Sequence, residues 1–165
     1  MNDAARCWAL HSWYWPRYDL IAQQSLLVTK HVIDTSGPAG RAQANRHLQT
    51  MLNNFNDPVE TDAGEVNRYG DDLKVDGIMG WKTSQRMDEF LNHRQLKGEC
   101  LLAFACNCFQ LRHFSKTAEV NEGKRDYTFG WWWNRCFTDC PEIFEHYERN
   151  KDKPYTRIRA TYTHV

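Results

Sequence analysis

From Leu96 to Ser115 the chain reads LKGECLLAFACNCFQLRHFS, a proline-free run whose apolar side chains occupy nearly every side of a helix. We read Leu101, Phe104, Ala105, Cys108, Leu111 and Phe114 as an inward face, with Leu102 and Phe109 widening it. A helix this apolar around its circumference has to be enclosed, which predicts the buried centre of a bundle. Its longest unbroken apolar piece, Leu101–Cys106, is too short to cross a bilayer, so no membrane partner is expected. The enclosure must come from other helices of this chain. With 165 residues, enough to bury a core without staples, the expected fold is mainly α, a compact multi-helix domain.

The other helices follow from caps and breakers. Asn2 or Asp3 opens a helix to about Tyr14, with Cys7, Leu10 and Tyr14 at helical spacing, and Pro16 stops it. A second runs from Leu20 to Ile33 on Ile21, Leu27, Val28 and Val32, after which Ser36 caps and Gly37-Pro38 punctuates. A third spans about Ala39 to Asn53, with Ala42, Leu48, Met51 and Leu52 inward. Residues 54–72 are polar, acidic and rich in turn formers, which predicts a surface loop. In Leu73–Thr83, LKVDGIMGWKT, Asp76-Gly77 and Gly80 make two tight turns, because glycine accepts positive φ; Trp81 or Thr83 then opens a helix to about His93.

Asn121–Lys124 reads as a polar turn and Tyr127–Arg135 as a short aromatic helix. Asp139 and Glu142, with Pro141 between them, start a last helix to about Asn150. The tail from Lys151 alternates weakly and fits a strand, a docking arm or disorder. The expected division is one helical domain over 1–150, made of parts 1–53, 54–72 and 73–150, with a tail at 151–165.

Composition narrows the partners. Lys plus Arg and Asp plus Glu both number 21, so no net field selects a polyanion and nucleic acid is not expected. The first fifteen residues carry Asp3, Arg6 and His11 where a signal peptide needs an apolar stretch, so synthesis in the cytoplasm without such a signal is expected. Cys106, Cys108, Cys136 and Cys140 with His113 lack the paired spacing of a zinc site, and no metal or cofactor is expected. Disulfides and buried free thiols remain alternatives for the cysteines. Seven tryptophans mean either an aromatic core or plates on which sugar rings stack. Trp13, Tyr14 and Trp15 cannot all face a core at 100° per residue, and neither can Trp131, Trp132 and Trp133.

Several short pieces recur in a telling order. They are Tyr14-Trp15, Val32-Ile33-Asp34, Ser36-Gly37-Pro38, Leu48-Gln49, Val75-Asp76-Gly77-Ile78-Met79-Gly80-Trp81-Lys82-Thr83 and Gly130-Trp131-Trp132-Trp133-Asn134-Arg135. This order, over about residues 3–137 and apart from the acidic loop, resembles the C-terminal, peptidoglycan-binding half of the phage-type muramidases of glycoside hydrolase family 108. The resemblance implies a lysozyme-like helical domain that engages peptidoglycan glycan strands in the periplasm or cell wall, within phage lysis or as a secreted antibacterial effector. It implies substrate contacts at Tyr14, Trp15, Asp34, Trp81 and Trp132.

The family's E-G-G motif, which carries its general acid, and the D-x-G-G-x-T segment after it do not occur; the chain contains no Gly-Gly pair. The catalytic acid is therefore not identified. Glu60, Asp62 and Glu65 sit in a loop ill suited to holding a raised pKa, and Asp34 either touches substrate or caps the next helix. An N-terminal acid-bearing segment, covalent or as a partner chain, would complete the cleft, and an immunity protein is a further expected partner. The alternatives are a non-catalytic peptidoglycan-binding module and a helical interaction protein.

Overall fold

The computed structural model describes residues 17–56, 59–60, 66–67, 70–137, 140–157 and 159. The expected first helix, with Tyr14 and Trp15, lies outside them. Among the described residues the fold is mainly α. Six α-helices pack together: α1 (Tyr18–Ala22), α2 (Leu26–Ala39), α3 (Arg41–Asn54), α4 (Trp81–Val120), α5 (Arg125–Trp131) and α6 (Cys140–Asn150). A π-helical turn, Trp132–Phe137, continues α5. Among the described residues no helix is long and apolar enough to cross a membrane.

The expected helix over 20–33 is two helices. Gln23 and Gln24 break the ladder, and Ser25 restarts it by accepting from the Val28 amide at 3.1 Å. The restarted helix then continues through Ser36, Gly37 and Pro38 to Ala39, where a stop was expected. Proline in the last turn removes one N–H, and the carbonyl it would have served is that of Asp34. The Gln110 side-chain amide reaches that carbonyl at 3.5 Å and donates to Asp34 Oδ2 at 2.9 Å. A long-range donor thus supports the turn that proline leaves short.

α3 follows directly, with Gly40 at φ +84° as the hinge. The acidic loop is not wholly irregular: β1 (Val59–Glu60) and β2 (Val66–Asn67) pair antiparallel, Val59 opposite Asn67. The two helices expected over 81–115 are both present: α4, Trp81–Val120, is two helical stretches that meet at a break at Gln95 (φ 50°, ψ −139°), the second running on past Ser115.

The face that α4 buries differs from the expected one. Leu102, Ala105 and Phe114 are buried as expected, but Leu101, Phe104 and Cys108 are exposed, and Ala103, Cys106, Asn107 and Gln110 are buried in their place. The inner face is marked by polar residues, each matched on α2. Ser25 donates to Glu99 at 2.6 Å, His31 Nδ1 meets Asn107 Oδ1 at 3.1 Å, and Gln110 holds Asp34. Buried polar groups cost little only when paired, so these matched pairs fix how α2 and α4 lie together. Around this seam the core gathers Tyr18, Ile21, Val28, Leu48, Met87 and Phe90, with Ile143 from α6.

The tail docks as an arm. Arg157 bridges Asp88 at 2.8 Å and Asn92 at 2.5 Å, and Tyr155 packs on the core. Beneath it lies Glu99, the one fully buried carboxylate among the described residues, with His146 Nε2 at 3.5 Å. Burial, with Glu99 next in weight, pushes the Tyr155 hydroxyl above its ordinary range.

Candidate functional sites

The turn at Leu73–Thr83 is clamped onto α3 by three amide side chains spaced four apart, Asn45, Gln49 and Asn53. Asn45 donates to the Gly77 carbonyl at 2.9 Å, and Asn53 exchanges two bonds of 2.8 Å with Leu73. Gln49 does most: its oxygen accepts from the Gly77 amide at 2.9 Å, and its nitrogen reaches Asp76 Oδ1, the Ile78 carbonyl and Thr83 Oγ1 at 3.0, 3.1 and 3.3 Å. The spacing of four places all three on one face of α3, directed at a single segment. Gly77 takes φ +80°, and a Cβ there would stand 2.7 Å from the Ala42 carbonyl oxygen. Only glycine lets the turn approach the helix so closely.

Beside this clamp opens a cleft of about 670 Å³, walled by Gln49, Asp72, Asp76, Trp81 and Arg86 among others. Trp81 exposes 67% of its surface there. Bonds from the Ile78 amide and then the Gln49 side chain hold the Asp76 carboxyl below its usual range, so it is an anion and not a proton donor. Arg86 donates to Glu89 at 3.2 Å and to the Asp71 carbonyl at 2.7 Å, so the Glu89 carboxylate is paired. The cleft therefore offers acceptors, cations and one aromatic plate, a set suited to holding a polyhydroxylated ligand, while its remaining carboxylates, Asp71 and Asp72, are exposed rather than enclosed by apolar side chains.

A second concavity, about 560 Å³, is of the opposite kind. Its walls are Phe104, Phe129, Trp132, Trp133, Cys136 and Phe137, with Thr128 supplying its one hydroxyl. Phe129, Trp133 and Phe137 stack in series, with centroids 6.3 and 4.9 Å apart. Sugar hydroxyls would find almost no partner here.

The five expected substrate contacts do not converge. Tyr14 and Trp15 lie outside the described residues, Trp81 lines the polar cleft and Trp132 the aromatic groove. Asp34 lines neither of these; it sits within α2, and the cap of α3 has no side-chain hydrogen bond, so capping is not its role. Of the loop acids, only the backbone of Glu60 is among the described residues, and Asp62 and Glu65 are outside them. Of the two alternatives for the cysteines, the free-thiol one holds at Cys100, Cys106, Cys108, Cys136 and Cys140. Burial raises Cys100 to about 11 and Cys106 to about 12, which keeps both protonated and unreactive.

Three groups escaped the sequence reading. Gln110 bonds Asp34 across 76 residues, and nothing local signals it. Glu99 lies in an apolar run, a position where a charged residue signals burial with partners. His47 stacks on Phe109 with centroids 4.2 Å apart and meets Gln43 Nε2 at 2.8 Å through Nε2. Burial, aided by His113 and Arg112, lowers His47 to about 4. No protein-family model and no curated protein matches the chain.

Proposed function

We propose that this chain is a peptidoglycan-targeting, muramidase-like cell-wall domain whose glycan contact is the polar cleft beside Trp81. The reading starts from the resemblance to glycoside hydrolase family 108. One observation carries it: Gln49, Asp76-Gly77 and Thr83, motif residues up to 34 apart, form a single hydrogen-bonded unit that opens onto that cleft. A sugar ring presents its C–H face to the indole while its hydroxyls bond to Asp76, Asp72 and Lys74 along the wall.

Cleavage needs more than this. A glycosidase protonates the leaving oxygen from a carboxylic acid whose pKa is raised by apolar surroundings. Asp76 is held ionised, Glu89 is paired with Arg86, Asp71 and Asp72 are exposed, and Glu99 is sealed under the tail. In this reading the chain binds the wall, and an N-terminal acid-bearing segment or partner chain supplies the cut. Without that segment it acts as a peptidoglycan-binding module. Its place of action is the periplasm or cell wall, reached through phage lysis or effector delivery.

The test is co-sedimentation with purified sacculi. The parent chain is expected in the pellet and Trp81→Ala in the supernatant with helicity unchanged, since Trp81 is mostly exposed. Reducing ends should stay at background with the chain alone, because general-acid help worth about 10²–10⁴-fold is missing. A parent chain that stays soluble beside sacculi would end the proposal.

A further inference from the structure

Among the described cysteines two reach the surface. Cys108 is exposed and Cys140 partly so, whereas Cys100, Cys106 and Cys136 are buried. The packing of three helices brings the outer two to one place. α2 lies along α4 in the same direction, with Ser25 bonded to Glu99 and His31 to Asn107. Lys30, next to His31 in the chain, holds Glu142 near the start of α6. One turn later His146 reaches Glu99 at 3.5 Å, and beyond α6 Arg157 reaches Asp88. α6 therefore runs antiparallel to α4, and its first residue, Cys140, lies level with the stretch around Asn107.

The faces match as well as the heights. Cys108 stands between Phe104, four residues before it, and Leu111, three after, so all three share one stripe of α4. Cys140 shares the wall of the aromatic groove with both Phe104 and Leu111. Phe104 meets Phe144 with ring centroids 6.1 Å apart, and the two cysteines stand one turn beyond that contact on either helix. Burial, with Cys140 next in weight, holds the Cys108 thiol above its ordinary range, an influence that a second thiol exerts only at close quarters. The inner thiols are engaged elsewhere: Cys136 reaches Gln110 Oε1 at 3.9 Å and Cys100 the Ile143 carbonyl at 3.8 Å.

We infer that Cys108 and Cys140 form a redox site that closes into a disulfide, stapling the start of α6 to α4. The chemistry is exchange with a small disulfide such as oxidised glutathione. One cysteine sulfur attacks the donor and expels a thiol, and the second then attacks the mixed disulfide and expels another. The donor's S–S bond breaks, a bond between the Sγ atoms of Cys108 and Cys140 forms, and both protons leave on the two small thiols. Two electrons pass from the protein to the donor. The staple ties together the two ends of the stretch that carries α5 and the π-helical turn. It rests on the proposed function only for where the donor is met, an oxidising periplasm.

The purified full chain, equilibrated in glutathione buffers from reducing to oxidising, alkylated and mapped by peptide mass spectrometry, tests it. The oxidised chain is expected to lose two hydrogens and to yield one linked pair of peptides, those of Cys108 and Cys140. Its thermal midpoint should rise by on the order of 10 °C. Cys108→Ser and Cys140→Ser should each abolish the link and the rise with unchanged circular dichroism, as neither side chain is buried. Both residues still alkylated in oxidising buffer, both left as glutathione adducts, or a bridge through any other cysteine in place of this one would overturn the inference. Binding to sacculi is read separately: a chain that closes this bridge but stays soluble beside sacculi ends the glycan reading and leaves this one standing.

Discussion

The turn at Leu73–Thr83 and the aromatic groove at Arg125–Phe137 both attach a short segment to a long helix, by opposite means. The turn is held by directed bonds: three amide side chains of α3 satisfy its backbone, and one glycine permits the approach. The groove is held by stacked rings, many with one face in solvent. Directed bonds tolerate almost no change, because removing one partner strands the other. Exposed rings tolerate substitution, because losing one forfeits contact area alone.

The largest effect should come from Gly77→Val. It combines positive φ with a Cβ driven into the Ala42 carbonyl, and we expect a loss of about 3–5 kcal/mol. Thermal unfolding should then begin on the order of 10 °C lower. The matched change, Phe129→Ser, removes a larger group but should cost below about 0.5 kcal/mol, as the ring is mostly exposed. Equal losses for the two would erase the contrast.

A smaller effect concerns His47, which stacks on α4 from α3. Its folded pKa, about 4, lies below the unfolded value, so the unfolded chain takes up a proton first. Stability contributed by the neutral ring is complete above about pH 6.5, falls as pH drops toward 4, and changes no further below that. For a half-buried, solvent-screened ring the loss should be about 1–2 kcal/mol. Denaturant midpoints at pH 7 and pH 4.5 should lie closer together in His47→Phe than in the parent. An unchanged gap between them would place the acid sensitivity elsewhere.

How much was legible in the sequence follows the same divide. The Asp76-Gly77 turn could be read directly, since only glycine suits its backbone, and the helix start at Trp81 followed. The four-residue spacing of Asn45, Gln49 and Asn53 was also present, but their target lies up to 34 residues away and no local rule names it. The buried side of α4 was misread because apolar residues surround that helix and leave no contrast to follow. The informative residues there were the polar ones, Glu99, Asn107 and Gln110, whose burial depends on Ser25, His31 and Asp34 of α2. The persistence of α2 past Ser36 could not be foreseen for the same reason, as the support for the proline-shortened turn comes from Gln110. For the candidate site, Trp81 and Trp132, both expected substrate contacts, line two surfaces of different chemistry.

The break at Gln95 has a kinetic meaning. A continuous helix transmits cooperativity along its ladder, since each hydrogen bond is easier to keep when its neighbours are made. At Gln95 the ladder is interrupted, with Met87 and Phe90 on the side shared with α3 and the turn, and Gln110 and Phe114 on the side shared with α2 and the aromatic segment. We expect the two stretches of one helix to open separately. Amide exchange in deuterated water should show separate protection levels for residues 81–94 and 96–120. The chain would breathe in two halves that meet at one glutamine.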